Sequence, residues 1–328
     1  MAFPAHGGLV FFALLLAACA ANPSEPVGGS GGAPAGSGGS TGSGGVKGSG
    51  GSTTTGSGGS TAAGSGGSSG SATCTPGKVA ASTPLTMPFD SLALNVPAPD
   101  GHQYYVQVNE WNPAANMAPE TMAIGGDFFF KMTAQQGSVA TNGGPVGFPS
   151  HFIGSNSGRT TVRSNLPKAV SALTTVPTSW TWNDNGTLAD ASSNSYNVAY
   201  DVWFSSSTSG DPDSVSAPSG GYLMVWYHKP NDAQPIGSIK YSAVSIAGVP
   251  GTWNVWVGLN GTKPCISYAA TKDVMSMSYD LNLFIQDAVK NRPNTIQSGW
   301  ALTNVFAGFE IWRGGVNLES TSFCVAVN

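Results

Sequence analysis

Charge is what this 328-residue chain has least of. It holds 13 Lys and Arg and 17 Asp and Glu, 9% in all, for a net charge of −4. No block of basic residues could neutralise a phosphate backbone, so a nucleic-acid partner is not expected. Glutamate is scarcer still: Glu25, Glu110, Glu120, Glu310 and Glu319 are the whole supply. The four Cys form no Cys-x-x-Cys and the four His are scattered, so no metal or cofactor is expected. No apolar run is long enough to cross a bilayer as a helix.

What is present falls into three parts. Residues 1–20 contain one short apolar run, Leu9 to Ala18, of the kind that marks a signal peptide. The run ends in Leu16-Ala17-Ala18-Cys19, which resembles a bacterial lipobox with Cys19 as the lipidated residue, although the eight residues before the run hold neither Lys nor Arg. Ala18-Cys19-Ala20 also fits a plain cleavage site, so the chain is expected to be exported either as an outer-membrane or cell-surface lipoprotein or in freely secreted form. Residues 21–73 are dominated by Gly, Ser, Thr and Ala with a recurring Gly-Ser-Gly-Gly, a composition that buries no core and reads as a disordered linker. Residues 74–328 carry all nine Trp and form the folded domain. With Cys19 assigned to lipid, Cys74, Cys265 and Cys324 remain. Cys265 and Cys324 lie in apolar strand-like runs, and a Cys265–Cys324 bond is expected.

In the domain, short runs rich in Val, Tyr, Phe, Trp and Thr alternate with Gly, Pro, Asn, Asp and Ser. Such runs are 104–109, 127–132, 179–182, 196–204, 222–228, 252–257, 266–270 and 300–306. That spacing predicts an all-β sandwich or jelly roll. A single helix is predicted over 279–290, where Leu281, Phe284, Ile285, Ala288 and Val289 make one apolar stripe ahead of Pro293.

Six segments, in order, resemble glycoside hydrolase family 12, the concanavalin-like jelly-roll endoglucanases and xyloglucanases. They are Val108-Asn109-Glu110-Trp111-Asn112; Gly147-Phe148-Pro149-Ser150; Leu166-Pro167 with Val176-Pro177-Thr178-Ser179-Trp180; Tyr196-Asn197-Val198-Ala199-Tyr200-Asp201; Gln234-Pro235-Ile236-Gly237; and Ala307-Gly308-Phe309-Glu310-Ile311-Trp312. The resemblance implies a β-jelly-roll sandwich of two curved antiparallel sheets. It also implies a pair of carboxyls working across a glycosidic bond, one protonated and one ionised. Glu310 aligns with the family's general acid/base, and Trp312 shares its face by strand alternation. Asn109, Trp111, Met224, Trp226 and Trp312 align with sugar-contacting positions, and His228 falls at the rim; Trp226 and Trp312 could equally be core.

One position departs from the pattern. Where the family has its nucleophilic Glu before Leu-Met-x-Trp, this chain has Tyr222 before Leu223-Met224-Val225-Trp226. Three readings stay open. Tyr222 itself attacks, although a phenol of pKa near 10 is a poor nucleophile at neutral pH. Asp201, which the family places beside the nucleophile, acts instead and activates a water. Or hydrolysis is lost and sugar binding kept. Glu110 is a further candidate, but alternation turns it away from Asn109 and Trp111.

The function implied is endo-acting hydrolysis of a β-1,4-glucan (cellulose, mixed-linkage glucan or xyloglucan), with Glu310, Asp201 and Tyr222 at the catalytic centre. The alternative is a catalytically silent β-glucan-binding protein. The chain is expected to be a monomer that meets a membrane only through Cys19.

Overall fold

The computed structural model describes residues 74–96, 101–112, 120–135, 137–207 and 217–328. The expected leader, the lipidation site Cys19 and the linker to residue 73 lie outside these residues. In chain order the strands are β1 Ser82–Leu85, β2 Ser91–Asn95, β3 Gln103–Gln107, β4 Thr121–Ile124, β5 Phe130–Ala134, β6 Ser150–Asn156, β7 Arg159–Thr160, β8 Lys168–Ala169, β9 Pro177–Asn183 and β10 Ser195–Tyr196. They continue as β11 Val198–Ser205, β12 Gly221–His228, β13 Ser238–Val244, β14 Trp253–Asn260, β15 Lys263–Ala270, β16 Ser276–Asp280, β17 Ala301–Gly308, β18 Ile311–Arg313 and β19 Glu319–Val325. The helix α1 is Asn282–Asn291.

Two sheets result. The smaller runs β1-β4-β5-β19-β9-β16, and the larger runs β13-β14-β15-β12-β11-β17-β6-β3-β2. All described ladders are antiparallel except β12–β15, which is parallel. This is the all-β jelly-roll architecture with one helix that the sequence pattern implies.

Alternation sorts the side chains of the large sheet into two populations. Tyr200, Val202 and Phe204 of β11, with Leu223, Val225 and Tyr227 of β12, meet Trp180, Phe323 and Val325 of the small sheet and form the core between the layers. Each aliphatic side chain fully buried there contributes about 1.5–3 kcal/mol of transfer free energy. The residues between them turn to the other face. Ala199, Trp203, Tyr222, Met224 and Trp226 gather there with Phe148, Phe152, Phe306 and Trp312 in a second, separate cluster.

Two expectations are corrected here. The helix starts at Asn282, because residues 276–280 pair with β9 as strand β16 and Asp280 Oδ1 accepts from the Asn282 amide at the entrance. The disulfide joins Cys74 to Cys324, with Cα atoms 6.0 Å apart, and not Cys265 to Cys324. The cause is the layering. Cys324 sits on β19 of the small sheet, whereas Cys265 sits on β15 with its side chain on the far face of the large sheet, so the whole sandwich separates them.

Candidate active site

Glu310 lies in the short break between β17 and β18. Gly308 closes β17 just before it, packed tightly against β6. A Cβ there would meet the Pro149 carbonyl oxygen at 2.2 Å and Ser150 Cβ at 2.6 Å, so only glycine lets the two chains approach. Beyond it the alternation survives: Phe309 and Ile311 enter the core, and Trp312 joins the second cluster on the far face.

Asn197 holds Glu310 at three points. Its side-chain amide donates to Glu310 Oε2, its Oδ1 accepts from the Glu310 backbone amide at 3.0 Å, and its own amide donates to the Glu310 carbonyl at 2.9 Å. A register shift between Val198 and Ala199 falls just after Asn197, where the chain passes from β10 to β11. Glu310 Oε1 is buried and has no hydrogen-bond partner.

Asp201 stands on the same face. It pairs across β12 with Met224 and across β17 with Phe306. Its Oδ2 accepts from Trp203 Nε1 at 2.7 Å, and its Oδ1, like Glu310 Oε1, is buried without a partner. Burial pushes the Glu310 carboxyl up to about 8; the charge of Asp201 adds to this, and the Asn197 amide opposes it. Burial lifts Asp201 to about 7, opposed by the Trp203 N–H. Burial thus raises both carboxyls, and the ionised form of Asp201 further favours the protonated form of Glu310.

Tyr222 pairs with Trp203, two pairs along the ladder from the Asp201–Met224 pair and next to it on the same face. Burial, followed by the nearby Asp201 charge, pushes its phenol above the usual range, the direction opposite to that of an activated phenolate. Met224 and Trp226 are buried beside it, with Trp226 Nε1 3.3 Å from Met224 Sδ. Trp226 and Trp312 have their ring centroids 6.5 Å apart, and Trp312 Nε1 donates to the Gly143 carbonyl. Both indoles are enclosed, while Trp111 packs on the cluster and stays partly exposed. Asn109 adopts φ 54° and offers its carbonyl to the Phe148 amide.

His228 is not brought to this group. The β11–β12 register shifts at its end of the strand, and its ring packs against Trp182 and Tyr196 with Nδ1 2.9 Å from Asp273 Oδ1. It lines a separate polar cavity of about 380 Å³ with Asn194, Lys229 and Asp232. Glu110 also stands apart, with its Oε2 accepting the Glu120 amide at 3.1 Å.

Two residues matter more than their sequence positions suggested. Asn197 sits inside one of the six segments and Trp203 two residues past its end, and the fold makes them the holders of the two carboxyls. Trp203 was accessible to simple alternation, being two residues from Asp201 on one strand. Asn197 was not, because the register shift interrupts the count. A third, Trp256, adds a buried unpartnered Nε1 to the same face, opposite Ser267.

A jelly roll whose larger sheet carries two carboxyls amid aromatic side chains, in this strand order, matches the model for glycosyl hydrolase family 12 over residues 102–328. The chain belongs to that family. Among its relatives is the xyloglucan-specific endo-β-1,4-glucanase A of Emericella nidulans, 33% identical over 162 residues, which are 48% of this chain and 61% of that one. Another is the probable cellulase Cel12b of Mycobacterium tuberculosis, 28% identical over 165 residues, 50% of this chain and 99% of its own length. This family 12 chain therefore spans about six tenths of the xyloglucanase relative and nearly all of the mycobacterial one. Endoglucanase Cel12A of Rhodothermus marinus superimposes with a TM-score of 0.62 at 32% identity, covering 75% of this chain and 99% of that one.

Proposed function

We propose that this family 12 chain is an exported endo-β-1,4-glucanase acting on a soluble or swollen β-glucan, with Glu310 as general acid and Asp201 as its partner carboxylate. One observation carries the reading: two coupled carboxyls on one face of the sheet, each tied at one oxygen by a neutral donor and free at the other. Pairs of carboxyls whose environments push their proton affinities apart divide into an acid and a base.

Tyr222 takes no part as a nucleophile, because burial and Asp201 both oppose the phenolate. Asp201 is one carbon shorter than the glutamate the family uses, and its pair with Met224 stands two pairs along the ladder from that of Tyr222, the next position on the same face. It therefore acts through a water. The water oxygen bonds to the anomeric carbon, its proton passes to Asp201 Oδ1, and the glycosidic bond breaks as Glu310 Oε1–H protonates the leaving oxygen. Attack by water from the opposite side gives inversion, and the two carboxyls then require about 6.5–9.5 Å between them to admit it. Trp111, partly exposed at the cluster's edge, is the ring best disposed to stack on a sugar, with Asn109 beside it. Export and any lipid anchor at Cys19 follow from the leader alone.

A second reading is favoured by the Tyr222 position itself: a cleft that binds β-glucan without cutting it. Reducing-sugar release from carboxymethyl-cellulose and xyloglucan separates the two. Wild type should release sugar, and Glu310→Gln should not. An inert wild type that gains activity as Tyr222→Glu would establish the silent binder, and release unaffected by Glu310→Gln would remove Glu310 from the site.

A further inference from the structure

A second carboxyl pair lies away from the first. Glu110 and Glu120 are both buried, at 2% and 0% exposure, and the Glu120 amide donates to Glu110 Oε2 at 3.1 Å. Both oxygens of the Glu120 carboxyl are buried without a donor in good hydrogen-bond geometry, and the Gln135 amide is the one neutral group close enough to favour its charged form. Strands β4 and β5 pair Thr121 with Ala134, so residues 120 and 135 adjoin at the open end of that hairpin. There the Gln135 amide lies against Glu120. Its Nε2 is engaged by the Gly137 carbonyl at 2.9 Å, and its Oε1 is buried and unpartnered.

Three buried acceptor oxygens without a donor, next to a second carboxylate, are costly to leave uncompensated. Burial, then the repulsion of Glu110, push Glu120 well above the ordinary carboxylate range; the Gln135 amide opposes them only in part, and no Lys or Arg among the described residues adds to it. A donor would satisfy one oxygen; a cation would satisfy all of them. The donor set is oxygen only: a carboxylate able to bind through both atoms, a second carboxylate and an amide carbonyl. Such a set suits a hard cation, and its irregular spacing suits Ca²⁺ better than Mg²⁺, which demands near-ideal octahedral geometry.

We propose that Glu110, Glu120 and Gln135 form a calcium site that fastens the segment carrying Asn109 and Trp111 to the open end of the β4–β5 hairpin. Glu110 lies between those two residues in the chain and points away from the face they serve, so the ion would brace the edge of the sugar site from behind. Two carboxylates and a neutral amide place the affinity with extracellular modules, at about 10⁻⁴–10⁻³ M.

The test is thermal unfolding of the full chain at pH 7 after EDTA treatment and dialysis, with 10 mM CaCl₂ or 10 mM MgCl₂ added. Calcium should raise Tm by about 5–10 °C and magnesium by clearly less, and both Glu120→Gln and Glu110→Gln should abolish the calcium shift. As a check independent of variant folding, terbium added to wild type should show Trp-sensitised emission that calcium displaces. No shift with calcium, or an equal shift in Glu120→Gln, overturns the site. A Tm indifferent to calcium that rises as pH falls from 7 to 5 would instead assign the pair a shared proton.

Discussion

Among the described residues two carboxyl pairs are buried, and the contrast between them shows what separates a reactive site from a structural one. Glu310 and Asp201 face an aromatic cluster on the far side of the large sheet. Each is gripped at one oxygen by a neutral donor, Asn197 or Trp203, and keeps the other oxygen unpartnered. Glu110 and Glu120 sit at a hairpin end, where no donor fixes either Glu120 oxygen in good geometry and the neighbouring Gln135, whose amide lies against it, adds an orphan acceptor of its own. Burial raises proton affinity in both places. Perturbed acidity therefore does not distinguish them. Orientation does: a carboxyl anchored at one oxygen presents the other in a fixed direction, which proton transfer to a sugar oxygen requires.

That contrast can be broken by substitution, beginning where the effect is greatest. Glu310→Gln keeps the Asn197 contacts and loses only the proton, so kcat/KM should fall about 10³-fold or more, roughly 4 kcal/mol of transition-state stabilisation. Asp201→Asn should cost about 10²–10⁴-fold in the same assay. Asn197→Ala should lower kcat about 10-fold with little change in KM. It should also move the alkaline limb of the pH profile upward, since the amide that opposes Glu310's raised proton affinity is gone. Tyr222→Phe should change kcat/KM less than about 3-fold, because the account gives its hydroxyl no proton to carry. Glu120→Gln should act mainly on stability, changing kcat/KM less than about 3-fold through the loosened Asn109–Trp111 segment. The direction follows from linkage. A carboxyl raised in the folded state favours folding at low pH and loses that contribution as pH rises toward its folded value. Without calcium, Glu120→Gln should therefore melt higher than wild type at pH 7, and the gap should close near pH 5. A Glu120 substitution that abolished hydrolysis would collapse the distinction between the two pairs.

Much of this was legible in the chain before folding. The Val, Tyr and Trp runs located most strands of the large sheet, and strand parity alone puts Tyr222, Met224 and Trp226 on one face; Asp201 joins them through its pairing with Met224. What escaped had identifiable causes. His228 has the parity of Tyr222, but the register shift beside Val198 separates them, and no alternation count registers a shift. Asn197 reaches Glu310 across 113 positions from the same irregular point. Cys324 finds Cys74 and not Cys265 because apolar strand-like context identifies a strand but not its sheet or outward face. Glu120 attracted no notice because nothing in its sequence neighbourhood marks it, and its partner Glu110 lies 10 residues away on another element.

The proposed hydrolysis requires Glu310 to be protonated while Asp201 is ionised, and the pH dependence of kcat/KM on a soluble xyloglucan oligosaccharide measures that state directly. The profile should be a narrow bell, falling below about 7 as Asp201 takes a proton and above about 8 as Glu310 loses one. Asp201→Asn should remove the acidic limb from whatever activity remains. A broad plateau from pH 4 to 6 that declines through 7, or an acidic limb unchanged in Asp201→Asn, would contradict the assignment of these two carboxyls as the working pair.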